Sequence, residues 1–379
     1  MNIMTFCMTA EEGWTTPAPS CIDPSRTLVV AFGDSALIES PEPIRHLAAA
    51  YPGATLHGCS SSGEIFGTSI LDHSLVVAVA EFERTELRAA TANLDGVTDS
   101  FLAGKLLAER LADSALRGVL VFSDGLRVNG SELVRGLNAV LPPSVVVTGG
   151  LAGDGDRFSR TWILQGGVPK SGCITGVGLY GDAVRLGHGS KGGWDVFGPE
   201  RRVTRSKGNV LYELDGKPAL ALYKDYLGER ASGLPATGLL YPLALRNAAS
   251  HEKHLVRTIL AVDETTQSLT FAGDIPEGSF AQLMQGDFDR LVGGAADAAA
   301  QSMEQFHGSG AILAIAVSCV GRRLVLGERT EEEIEAAIGV LPTRARQIGL
   351  YSYGEISPYA KGACDLHNQT MTLTTISEV

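Results

Sequence analysis

Paired cysteines are missing from this sequence. Six are present (Cys7, Cys21, Cys59, Cys173, Cys319, Cys364), but no two form a CxxC pair. A disulfide scaffold or a structural zinc site needs closer, paired spacing, so both are excluded. The six are expected to be small apolar residues in a reducing cytoplasm. Positive charge is also scarce: 31 Lys and Arg stand against 43 Asp and Glu, for a net charge of −12. The only arginine doublets are Arg201–Arg202 and Arg322–Arg323, too little for a nucleic-acid or anionic-membrane surface. Long apolar runs are absent as well. The longest, Ala311–Val320 (AILAIAVSCV), is half a bilayer span and reads as a buried strand, so no membrane insertion is expected. The first residues, MNIMTFCMTAEEGW, carry neither a basic region nor a continuous apolar one, so a secretory signal is not expected.

Familiar catalytic phrases fail on inspection. Gly176–Gly181 (GVGLYG) satisfies GxGxxG, but the residues after it alternate like a strand, and a dinucleotide site needs a helix there. GCSSSG lacks the glycine spacing of a GxSxG nucleophile elbow.

What the sequence does have is glycine and repetition. Glycine makes up 45 of 379 residues, well above the usual ~7%, which points to many tight turns and close backbone approaches. GCSSSGEIF (Gly58–Phe66) returns as GLYSYGEIS (Gly349–Ser357). A shift of 90 places Phe32 on Phe122, Asp34 on Asp124, Leu47 on Leu137, Pro52 on Pro142, Gly63 on Gly153 and Glu64 on Asp154. Each copy reads as a β-branched strand, an amphipathic helix ended by proline, and a second strand ending in glycine and an acid. In the third copy Thr330–Glu333 reads as a capping box opening a helix with Ile334, Ala337, Ile338 and Leu341 on one face. The fold class expected is α/β: two pseudo-related domains with mixed or antiparallel sheets flanked by helices, built from duplicated strand-helix-strand units. The expected divisions are a loose N-terminal tail over 1–24, one domain over 25–228 and a second over 229–379. The joint falls in the Gly-, Ser- and Pro-bearing stretch Asp225–Gly238.

Five segments in order, GCSSSGEI, TGGLAGD, GWDVFGPERRVTRSKGNVLYELDGKPAL, SCVGRR and GLYSYGEISP…LHNQTMTL, resemble the FIST proteins, which have a FIST N-terminal and a FIST C-terminal domain. The resemblance covers about residues 25 to 370. It implies a cytoplasmic sensory domain for signal transduction that binds small ligands such as amino acids. Within the family, NosP-type proteins bind haem, sense nitric oxide and act on a partner histidine kinase. The resemblance therefore makes haem a ligand to test. It also implies a separate signalling partner, either a histidine kinase or a cyclic-dinucleotide enzyme.

The residues suggest where such a ligand would sit. Glu64, Asp154 and Glu355 follow Gly63, Gly153 and Gly354 at strand ends, where α/β proteins place ligand groups. Their carboxylates suit an ammonium or guanidinium group, and they suit capping the following turn equally well. Arg322 offers a planar carboxylate clamp or a solvated surface charge. Trp194 offers a stacking wall or a core aromatic. For haem, whose iron takes an axial imidazole, His188 and His367 are the candidates, and the absence of CxxCH excludes covalent attachment. The three corners and Arg322 are expected to gather at one cleft between the halves. A binding protein rather than an enzyme is the expectation. The alternatives are a hydrolase or lyase using the strand-end carboxylates with Cys59, and a ligand-free scaffold.

Overall fold

The structure, a computed structural model, describes residues 1–94, 99–246, 254–304, 306, 308, 310–358 and 362–379. Its main body is one unit written three times. In the first, Thr27–Asp34 (TLVVAFGD) has no polar alternation because it is buried on both faces, as parallel strands are. It pairs in parallel with Thr55–Ser61, and the crossover helix Glu42–Ala50 buries Ile44 and Leu47. Leu116–Ser123, helix Gly130–Asn138 and Val146–Leu151 repeat the pattern. Here Asn129 caps the helix, its side chain accepting from the backbone N–H of Ser131 and Glu132. Ile312–Cys319, helix Thr330–Val340 and Ala345–Ser352 repeat it again. A return strand then pairs antiparallel with each first strand: Ser74–Glu81, Cys173–Tyr180 and Met371–Glu378. The expected duplication is thus seen as strand, helix and strand in all three copies, and the sheets are mixed.

The capping box expected at Thr330 does not form. Arg329 is the N-cap and makes no side-chain cap bond. Thr330 instead donates to the Arg323 carbonyl, and Glu333 turns inward to meet Arg322. A buried cation outcompetes the exposed helix end for that carboxylate.

The units are interlocked by exchange. After its second strand each gives up a short hairpin to a neighbour's sheet. Glu64–Phe66 joins Ala345–Ser352, Gly354–Pro358 joins Val146–Leu151, and Ile163–Gln165 joins Thr55–Ser61. Close packing of each parallel pair explains part of the glycine excess. A Cβ on Gly58 would lie 1.8 Å from the Ala31 carbonyl oxygen, on Gly149 1.8 Å from that of Val121, and on Gly349 2.1 Å from that of Ala316. These three glycines set the structural register. Gly58 and Gly149 differ by 91, so the shift of 90 misplaces the second corner by one residue, and an extra loop follows it. In the exchanged hairpins Glu64 faces Leu350 and Glu355 faces Gly150, while Ile163, not Asp154, faces Cys59.

Residues 1–24 are not wholly a loose tail. Asn2–Thr9 pairs along its full length with Ser74–Glu81, and Phe6 and Cys7 are buried. The alternation of NIMTFCMT was the available signal, hidden by how little of its apolar content is continuous. Gly176–Gly181 lies in and just after the return strand Cys173–Tyr180 and opens no helix.

The body is interrupted once. Outer strand Val184–Lys191 leads through Gly192–Gly193 into a fourth, antiparallel sheet. It includes Trp194–Lys207, Val210–Leu214, Leu243–Arg246 and Phe280–Gly286, before the chain returns as helix Phe288–Ser302. Helix Ala219–Leu227 packs on this sheet around Val203, Leu211, Ile259 and Phe271. The stretch 225–238 is the end of that helix and the turns after it.

Candidate functional site

The three corners do touch. Ser62 N–H donates to the Tyr351 carbonyl (2.8 Å), and Tyr351 N–H to that of Gly63 (2.9 Å). Gly153 N–H donates to the Ser60 carbonyl (3.1 Å), and Tyr353 N–H to that of Leu151 (3.1 Å). What they make is a packed seam. Glu64, Asp154 and Glu355 are each at most 1% exposed, and none lines a cavity described below. Glu64 accepts from Ser74 N–H and Oγ, and Glu355 from Ser352 Oγ and from Thr370 N–H and Oγ1. Burial pushes both carboxyls up to about 8, against the pull of those hydrogen bonds. Asp154 goes the other way. Burial raises it, but donors from Ser35, Arg160, Arg157 and Ser159 together hold it below the usual carboxylate range. The expected cleft at the corners is therefore a correction: the acids are buried in the seam and accept from neighbouring protein groups there.

Arg322 is corrected too. Its side chain is fully buried, bound to Glu333 through Nε (2.9 Å) and Nη2 (2.7 Å), and to the carbonyls of Gly192 and Leu291. Tyr351 and Ser318 donate to the same Glu333. The four Arg322 bonds hold four of its five N–H donors inside the fold, and the side chain has no exposed surface to offer a ligand. Its neighbour Arg323 is the arginine at the corner, bonded to the Ser62 carbonyl and to Asp72. Successive residues on helix Val320–Leu326 point about 100° apart, so the doublet alone could not say which turned inward. Cys59 is fully buried, and burial drives its thiol well above its ordinary range, so the hydrolase reading has no nucleophile there.

The residues that do face open space lie at the seam between the three-unit body and the fourth sheet. A cavity of about 450 Å³ is walled there by Trp194, Met284, Val256, His367 and Asn368, with Lys191 at its edge. Trp194 opens the fourth sheet, and its indole N–H is anchored on the Gln369 carbonyl (2.9 Å). Asn368 is 1% exposed. Its Oδ1 accepts from Thr258 N–H (3.3 Å), while its Nδ2 has no partner. An unpaired buried donor costs about 1–3 kcal/mol, so such groups mark strain or a site for a ligand or water. Thr258 Oγ1 and Gln369 Oε1 are also unpaired, at the same seam. Asn368 was missed by residue-level reading, although it lies in the LHNQTMTL segment.

His188 lines an adjoining cavity of about 280 Å³, which shares Gln301 and Pro358 with the first. Its Nδ1 is unpartnered. His367 bonds the Ser357 carbonyl through Nε2 (3.0 Å). Burial lowers both imidazoles, and His367 further lowers His188, so both are neutral. Among the described residues no group of three or more His, Cys, Asp or Glu is placed to hold a metal ion.

A cavity at this seam, walled by a tryptophan and lined by a buried amide, is the candidate ligand site of the molecule. The comparisons agree in class. Residues 27–217 match the FIST N domain and residues 219–358 the FIST C domain, and the chain belongs to this family. FIST domains are small-ligand sensory domains of signal transduction. An uncharacterized protein of Methanocaldococcus jannaschii is 28% identical over 273 residues, 64% of this chain, and the chain spans about half (50%) of that relative's length. The crystal structure of a cyanuric acid hydrolase from A. caulinodans aligns over 100% of this chain and 98% of that one, at 10% identity and a TM-score of 0.35. That likeness is too slight to carry an argument. Among the described residues no helix is long and apolar enough to cross a membrane.

Proposed function

We propose that this chain is a cytoplasmic sensory protein whose small ligand binds in the seam cavity. Occupancy would be reported to a separate signalling partner, a histidine kinase or a cyclic-dinucleotide enzyme. The observation that carries the reading is the cavity of about 450 Å³, within the usual ~300–1,000 Å³ of ligand sites, whose walls come from both family domains. A ligand there contacts Trp194 and Met284 of the fourth sheet and Asn368 of the body at once, so binding changes how the two are held together. A ligand-free scaffold has no use for such a space. A metabolite library screened by thermal shift tests this. A ligand that stabilises the wild type should lose at least tenfold in affinity when Trp194 is replaced by Ala. Binding indifferent to that change, or none across the library, sinks the reading.

Haem is the second reading, favoured by one observation: two neutral imidazoles, His188 and His367, line adjoining cavities. Neutral imidazole is the form that ligates iron, and His188 Nδ1 has no partner. Either ring would supply the axial ligand, and bound haem would supply the affinity for nitric oxide. Titration with haemin should give a sharp Soret band that His188→Ala or His367→Ala abolishes. A broad spectrum unchanged by both substitutions removes haem.

A further inference from the structure

We infer that the fourth sheet moves as a unit: it pivots where it meets helix Val320–Leu326 and opens at Arg257. The motion gives the seam cavity its output, and in that respect it rests on the cavity being the binding site. The two sides of the contact are built differently. On the pivot side it is apolar and closed. Trp194, Ala244 and Met284 of the sheet pack with Leu291 and Leu326 of the body. Leu239, fully buried in the turn Ala236–Leu240, joins the cluster that holds Val320. The chain crosses between the two parts here, at Gly192–Gly193 and again at Gly286–Asp287. Buried Arg322 holds the carbonyls of Gly192 and Leu291 at these crossings. A Cβ on Gly294 would lie 2.1 Å from the Gly192 carbonyl oxygen, so this side has no slack.

The other side, against helix Gly130–Asn138 and strand Cys364–His367, is polar and thin. Arg257 is 4% exposed there, and its partners are neutral oxygens. They are the carbonyls of Asp274 (3.0 Å), Val256 (3.2 Å) and Leu366 (3.3 Å), and Ser131 Oγ (3.4 Å). Asp274 and Asp365 act on it through space, but among the described residues neither forms an ion pair with it. A guanidinium keeps its charge, and a buried charge without a counter-ion is costly. The other bonds on this side run from Asn129 Nδ2 to Asp274 Oδ1 (2.7 Å), from Asp274 N–H to Ser131 Oγ (3.1 Å) and from Thr258 N–H to Asn368 Oδ1 (3.3 Å). Those from Arg257 to the body and from Thr258 exceed the usual limit of about 3.2 Å. Thr258 Oγ1 has no partner. Beside them a cavity of about 690 Å³ already separates Asn129 and Phe158 of the second unit from Leu260 and Thr270 of the sheet. Opening here hydrates Arg257 and the Thr258 hydroxyl at the loss of a few long hydrogen bonds, and the sheet's own core around Val203 and Phe271 stays closed. Val256, which precedes Arg257, and Leu366, which accepts from it, both line the seam cavity. A ligand spanning the two therefore holds this side shut.

Hydrogen exchange of the full chain without ligand, followed by NMR, tests the pivot. The N–H groups of Thr258 and Asp274 should share one protection factor, about tenfold or more below those within Ile312–Cys319 and Phe280–Gly286, which need deeper unfolding. The Trp194 indole N–H, bonded to the Gln369 carbonyl on the pivot side, should still be protected when those two have exchanged. Ser131→Ala removes an acceptor on the opening side. It should speed Thr258 as well as Asp274 by about three- to tenfold, although only Asp274 donates to it from the backbone. Thr258 and Asp274 as slow as the strands would mean that the seam opens only on global unfolding, which overturns the inference. A Trp194 indole that exchanges with them also overturns it, because the sheet would then leave without a pivot. A Ser131→Ala effect confined to Asp274 does the same, because the seam would then open bond by bond. None of these measurements uses a ligand. An empty metabolite screen would remove the cavity as a binding site and leave the pivot standing, and a failed exchange test would leave the screen's result intact.

Discussion

Glu64 and Glu355 show how little a carboxyl's position says about its charge. Both follow glycine at a strand end, and both are buried and accept directly from Ser and Thr groups alone among the bonds seen, so burial dominates and they hold their protons near neutrality with values pushed up to about 8. In the unfolded chain they ionise near 4.5. Between those values the native state binds more protons than the unfolded one. Stability from these groups is therefore complete below 4.5 and is lost as pH rises through about 8. Urea unfolding of the wild type should show a decline over that window. Glu355→Gln, which cannot ionise, should flatten its share of the slope. A slope identical in the variant would show that Glu355 is not the group titrating. The glycine-acid pairs were legible in the sequence; their burial was not, because it depends on hairpins delivered from distant parts of the chain.

At the scale of elements, the strand Asn2–Thr9 is the clearest test of what the sequence hides. Its eight residues pair with Ser74–Glu81, and Phe6 packs at 1% exposure beneath helix Glu42–Ala50 with Val29, Val77 and Tyr51. Truncating a buried phenylalanine costs about 3–5 kcal/mol, whereas in a loose tail it costs nothing. Phe6→Ala should lower the urea midpoint accordingly without changing the slope, and a midpoint equal to wild type would restore the tail. The central strands and Pro-ended helices were readable because period and breakers are local properties. This strand was not, since its partner lies some 70 residues onward.

The whole molecule is held by exchange. Val146–Leu151 receives Gly354–Pro358, and Ala345–Ser352 receives Glu64–Phe66. A division at residues 228/229 separates both pairs. The fragment 1–228 alone should therefore give a poorly dispersed amide spectrum, with dispersion restored by adding fragment 229–379. A well-dispersed spectrum of the first fragment by itself would mean that the exchanged hairpins are dispensable.

Some properties follow from the sequence alone. Charge balance and the lack of long apolar runs are sums over residues, so exclusion of a basic nucleic-acid surface and of a spanning helix needed no coordinates. The strand-helix-strand units followed from periodicity, and the family from ordered motifs. Trp194 and His367 were picked out on the same basis, and they do line the seam cavity. Tertiary structure decided the rest. It turned Arg322 inward to Glu333 and left Arg323 at the corner. It closed the three corners into a packed seam and opened the cavity beside Asn368 instead. The physical reason is that a side chain's exposure and partners are set by which distant strands pack against it. A polar residue in a motif looks the same in sequence whether its hydrogen bonds are all taken or one is left free.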